Sequence, residues 1–163
     1  MIVKRQLEWS MGTNMGNRAV ITTRDSLDYN GLGVYVHWNG GRDSVNAFVT
    51  YCAMKGYASP ERDCYGWARL CQVIGNYFGG GLSLGIDTVN RLDCDNGDNG
   101  VYIIENWNIV GREYFDGNEQ NVYPLDQMIK DINESMPKDE QIKEDELLVK
   151  LDEVLRKRGE LPF

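Results

Sequence analysis

His37 is the only histidine of the chain, and it leads into Trp38-Asn39-Gly40-Gly41-Arg42-Asp43. These residue types suit recognition. Imidazole can take up or release a proton, indole offers a broad stacking face, and guanidinium holds phosphate or carboxylate. The amides of a Gly-Gly turn at a helix start add donors for an anion. His37, Trp38, Asn39, Arg42 and Asp43 therefore form a candidate partner- or ligand-binding corner. The turn is not a Walker loop, because it lacks Gly-Lys-Ser/Thr and the glycine spacing that cradles phosphates.

A second group lies in Asp93-Cys94-Asp95-Asn96-Gly97-Asp98-Asn99-Gly100. It resembles a calcium loop only superficially. Glycine takes the fifth place, aspartate the sixth, and Ile104 stands where a bidentate glutamate belongs. The run reads instead as a loop of turn-forming residues, with Asp93, Asp95 and Asp98 as part of an acidic binding surface. No metal or other cofactor is expected. Cys52, Cys64, Cys71 and Cys94 contain no C-x-x-C pair and read as reduced structural thiols. His37 with one of them would make a thiolate-imidazole pair, yet nothing selects a cysteine, and no serine sits in a G-x-S-x-G elbow. No catalytic residue is assigned.

Charge is divided unevenly. Residues 1–80 hold 8 Lys+Arg and 6 Asp+Glu, net +2, whereas residues 81–163 hold 9 and 19, net −10. The first half tolerates an anionic ligand. The second half repels nucleic acid and attracts basic surfaces. No apolar run approaches the roughly 20 residues that cross a bilayer, and no signal core follows Lys4-Arg5, so the expectation is a cytoplasmic protein without membrane contact.

The elements that position these residues follow from periodicity. Residues up to Met15 read as an arm or an edge strand. Asn17–Arg24 is β-rich, Asp25–Gly31 is turn chemistry, and Leu32–Trp38 is the returning strand of an antiparallel hairpin. Asp43 or Ser44 caps a helix with Val45, Phe48, Val49 and Cys52 on one face. Ser59-Pro60-Glu61 starts a second, with Trp67, Leu70, Cys71, Ile74 and Phe78 as its stripe and Gly79-Gly80-Gly81 as its stop. Strands follow over Leu82–Ile86, Val101–Ile104 and Trp107–Val110. Pro124 opens a helix closed by Pro137, and a last helix runs from Asp139 to Arg158 with acids at its start and bases at its end. The fold class is α+β: an antiparallel sheet against two central helices, with a helical C-terminal extension. The expected division is a core over residues 1–136 and an extension over 137–163, hinged at Pro137-Lys138.

Asn17-Arg18-Ala19-Val20-Ile21-Thr22 followed by Gly33-Val34-Tyr35-Val36-His37-Trp38-Asn39-Gly40-Gly41-Arg42-Asp43-Ser44-Val45 resembles a family of small proteins encoded in phages and prophages of Firmicutes. Tyr65–Leu70, Gln72–Gly80 and Asp95–Tyr102 extend the likeness, which covers about residues 16 to 130. The resemblance implies a block on a host defence, as in anti-CRISPR proteins of the type II-A group, and a setting in the host cytoplasm. It carries over no catalytic residues. The leading expectation is a non-enzymatic inhibitor whose acidic half meets the basic groove of a nucleic-acid-handling protein such as Cas9. The alternatives are a module that holds a small anionic nucleotide between Trp38 and Arg42, and a nuclease or hydrolase using His37 or the Asp93–Asp98 loop.

Overall fold

The computed structural model describes residues 16–160. The arm expected up to Met15 falls outside the described residues. The chain is α+β, built on a five-stranded sheet of order β3-β2-β1-β4-β5.

Strand β1 (Ala19–Thr22) is buried throughout, as its β-branched composition requires of a central strand. The next segment holds a short helix, α1 (Arg24–Asp28), where turn residues predicted only a loop. Thr23 causes this: its hydroxyl accepts the Ser26 N–H at 3.2 Å and caps the turn. Strand β2 (Leu32–Val36) returns antiparallel, with Ala19 opposite Val36 and Thr22 opposite Gly33. It stops two residues short of the predicted Trp38, but His37 still bridges its neighbours. Its N–H donates to Ser83 O and its carbonyl accepts the Asn17 N–H, both at 3.0 Å.

Helix α2 (Arg42–Met54) begins from Gly41, not from Asp43 or Ser44. Val45, Phe48, Val49 and Cys52 are buried as their spacing predicted, but so are Asp43, Ser44, Ala47, Thr50 and Tyr51. The helix is enclosed because three later helices all pack on it. Helix α3 (Tyr65–Phe78) starts later than Ser59-Pro60-Glu61 predicted. The Ser59 hydroxyl is spent on the Glu61 carboxylate at 2.5 Å, and that carboxylate also accepts the Asn106 N–H at 2.7 Å. Gly79 ends α3 in the left-handed region at φ +75°, a conformation that glycine adopts without steric cost.

Strand β3 (Leu84–Thr88) pairs antiparallel with β2 and begins two residues after the predicted Leu82, whose side chain is fully exposed. Strands β4 (Val101–Glu105) and β5 (Asn108–Glu113) form a hairpin around Asn106 and Trp107, both at positive φ. β4 lies parallel to β1, with Val20 opposite Val101, so the sheet is antiparallel except at this pair. A parallel pair needs a long crossover, and the segment carrying α2, α3 and β3 supplies it.

Helix α4 (Leu125–Ser135) follows Pro124 as predicted. Helix α5 (Glu144–Lys157) starts later than Asp139 because the Asn133 side chain holds the intervening turn. Its amide nitrogen donates to Ile142 O at 2.9 Å, while its oxygen accepts the Ile142 N–H at 2.8 Å and the Tyr51 hydroxyl at 2.7 Å. Ile142, Leu147, Leu151 and Leu155 then join the core that holds Phe48, Ile74 and Ile129. The segment after Pro137 thus shares its hydrophobic core with the rest of the chain. That core covers the sheet face carrying Ile21, Val36, Tyr102 and Ile104. Val20, Val101 and Ile103 form the smaller cluster with Leu27, Leu92 and Cys94.

Candidate partner-binding site

The two groups singled out in the sequence meet at one end of the sheet. Gly40 makes this approach possible: a Cβ there would lie 2.8 Å from Ala19 Cβ and from the Arg18 carbonyl carbon. Gly40 N–H donates to Asn17 O at 2.8 Å, and the Tyr102 hydroxyl donates to Gly40 O at 2.7 Å. On the other side, Arg18 reaches the Asp93–Gly100 loop. One Asp98 oxygen accepts both the Arg18 backbone N–H at 3.0 Å and Nε at 2.7 Å, and Asp93 lies 3.7 Å from the same guanidinium. A chain of amide side chains completes the link. Asn99 donates to Asn17 Oδ1 at 2.6 Å, Asn17 to Gln120 Oε1 at 3.4 Å, and Gln120 to Asp43 Oδ1 at 3.4 Å.

Within the first group, only part of the surface is available. His37 and Trp38 are half-buried and meet edge to face, with ring centres 4.8 Å apart. The Tyr35 hydroxyl lies 3.2 Å from His37 Nδ1, in a hydrogen bond whose direction follows the imidazole tautomer. Asn39 is half-buried at φ +55°, and its side chain donates to Ser44 Oγ at 3.0 Å. Asp43 is buried and faces inward. Its carboxylate accepts the N–H groups of Ser44, Val122 and Tyr123 at 2.7, 3.0 and 2.9 Å, which clamps the loop after β5 onto the first turn of α2. Asp43 is therefore a structural tie, and this duty explains why it does not act as the N-cap.

Arg42 does not stand free either. Its Nε lies 3.9 Å from Glu119, which also forms an ion pair with Arg112. The Arg112 guanidinium is stacked between Tyr102 and Phe115, with centroid distances of 3.8 and 4.0 Å, and donates to Asn99 O at 2.6 Å. Burial pushes the Arg112 pKa down, opposed by Tyr102 and Glu119. Sequence reasoning missed Asn17, Arg18, Asn99, Arg112, Glu119 and Gln120 as parts of this end of the molecule. They are scattered polar residues whose spacing carries no local period.

The loop sets three carboxylates against one guanidinium: Asp95 is exposed, whereas Asp93 and Asp98 are paired within the molecule, with Arg18. The same holds for Glu113 with Arg24, Asp87 with Arg91, and Glu119. Residues 124–155 differ: they hold ten Asp+Glu and four Lys, net −6, before Arg156, Lys157 and Arg158 close α5 with three positive charges. Among the described residues in that span, only Asp152 forms a salt bridge, with Arg156 at 2.7 Å. Asp126, Glu134, Asp139, Glu144, Asp145, Glu146 and Glu153 are exposed there, beside the exposed Leu148 and Val149. The acidic excess thus lies on α4, α5 and their connection.

The contacts of His37 run to Tyr35 and Trp38, and no thiol is set against it among the described residues. Cys52 is sealed in the core, where burial pushes its pKa up, and burial pushes the Cys71 thiol up to about 11. Among the described residues, no group of three or more His, Cys, Asp or Glu is placed to hold a metal ion. No helix among them is long and apolar enough to cross a membrane. Comparison with protein-family models, with curated proteins and with solved structures finds no match to this chain.

Proposed function

We propose that the protein is a non-enzymatic inhibitor that acts by binding, occupying the basic nucleic-acid groove of a host defence protein with the acidic face of α4 and α5. The observation that carries this reading is the concentration of carboxylates over residues 124–155, all but Asp152 outside any salt bridge among the described residues, on two helices that share one hydrophobic core. Fixed negative charges of this kind take the place of nucleic-acid phosphates, and their docking releases counterions from both surfaces. Leu148 and Val149 supply an apolar centre within a charged rim, the usual layout of a specific interface.

The likeness of residues 16–130 to phage proteins makes Cas9 the first target to test, in the cytoplasm of the host. The acidic face itself avoids nucleic acid. The test is capture of purified Cas9 by the immobilised protein at increasing salt, with guide RNA and DNA as competitors. Expected is a complex at low salt that weakens as salt rises and that nucleic acid displaces. Absence of a complex even at low salt overturns Cas9 as the target.

A further inference from the structure

We propose that Arg42 and Arg112 form a phosphoryl-binding site at the start of α2, and that Glu119 fills it as a tethered carboxylate. Two guanidiniums converge on this one side chain, Arg112 Nη1 on Oε1 and Arg42 Nε at 3.9 Å from Oε2. The cationic wall is fixed. Arg112 is only 13% exposed, is gripped between Tyr102 and Phe115, and donates to Asn99 O. Helix α2 starts beside Arg42, with its Asp43 and Ser44 N–H groups already taken by Gln120 O and the Asp43 carboxylate, so the guanidiniums are the donors of the site.

The occupant, by contrast, can leave. The Glu119 side chain is 36% exposed and projects from a loop that is held by other atoms. Gln120 O accepts the Asp43 N–H, while the Val122 and Tyr123 N–H groups donate to the Asp43 carboxylate. Glu119 can therefore turn to water without releasing the loop. A phosphoryl group carries more charge than a carboxylate and has three acceptor oxygens to distribute over the two guanidiniums. This site is cationic and sits apart from the acidic helices, so it goes beyond the inhibitor reading and does not depend on it.

The experiment is calorimetric titration of the full chain with inorganic phosphate at constant ionic strength, comparing the unaltered protein with Glu119→Gln. Removing the competing carboxylate is expected to tighten phosphate binding about ten-fold, the size of one charge-assisted hydrogen bond. Adding Arg42→Ala to that variant is expected to abolish the gain. A phosphate-dependent rise in melting temperature, seen in Glu119→Gln and lost in the double variant, reports the same site independently of heat signals. Equal affinity in the unaltered and Glu119→Gln proteins overturns the proposal, as does tight binding that survives Arg42→Ala.

Discussion

Arg18 and Asp98, 80 residues apart in sequence, meet at 2.7 Å, and the same carboxylate oxygen also accepts the backbone N–H of Arg18. This double acceptance fastens the Asp93–Gly100 loop to the start of the central strand. Replacing Asp98 by Ala removes both bonds and leaves a partly buried guanidinium without its closest counter-charge. The expected cost is about 1–3 kcal/mol in urea melts, with faster amide exchange across residues 93–100. Asp95→Ala, at an exposed position, is expected to stay within about 0.5 kcal/mol of the unaltered protein.

Asp43→Ala tests the clamp between α2 and the loop after β5. Three backbone N–H groups lose a buried acceptor at once, so about 3 kcal/mol of destabilisation is expected. Hydrogen exchange should rise first at Val122 and Tyr123. Asp43→Asn keeps one carbonyl acceptor and should recover part of the loss.

Asn133 joins α2, α4 and the turn before α5 through Tyr51 and Ile142. Asn133→Ala leaves the Tyr51 hydroxyl and both Ile142 backbone groups unpaired in a buried place. A loss of about 2–4 kcal/mol is expected, summing unmade hydrogen bonds and a small void. Chemical denaturation followed by circular dichroism measures it, and exchange protection in α5 should fall further than in β1.

Alkaline pH should destabilise the fold. Burial raises the Cys52 and Cys71 thiols above their ordinary value of 9.0, and the Tyr51 and Tyr102 hydroxyls above 10.0. Above the unfolded pKa, the unfolded chain has released protons that the folded chain still holds, so stability falls as pH rises. The stabilisation is complete below about pH 9 and declines beyond it, first through the cysteines and then through the tyrosines. Urea melts at neutral pH and above pH 9 check the sign. A maleimide reagent at neutral pH should label exposed Cys64 well before Cys71 or Cys52.

Charge reversal on α5 tests the docking face. Glu144→Lys, Asp145→Lys and Glu153→Lys change exposed groups with no salt-bridge partner among the described residues, so the combined variant should still fold, at a cost of about 1–2 kcal/mol because Glu144 and Asp145 lie in the first turn of α5. Association with a basic partner should slow by about ten-fold or more at low salt, and the salt dependence should flatten. Stopped-flow association at several ionic strengths provides the measurement. Reversal of Asp87, whose carboxylate is already paired with Arg91, should change the rate much less.

Much of the local structure was legible from residue order. The period of Val45, Phe48, Val49 and Cys52 located α2, Gly79 marked the end of α3, and Pro124 marked the start of α4. Such signals depend on neighbours a few bonds away, which is why they survive without a tertiary context. Boundaries failed where a side chain found a local or distant partner stronger than its usual role. Ser59 bonded Glu61 and did not cap α3, Thr23 built α1 inside a predicted turn, and Asp43 turned to Val122 and Tyr123. The uneven division of charge was also written in the sequence, since composition alone fixes it. Which carboxylates remain unneutralised was decided only by folding. Coulomb attraction acts between groups brought close in space, and the turn of the chain that set Asp98 against Arg18 and Glu119 against Arg112 left the acids of α4 and α5 facing water.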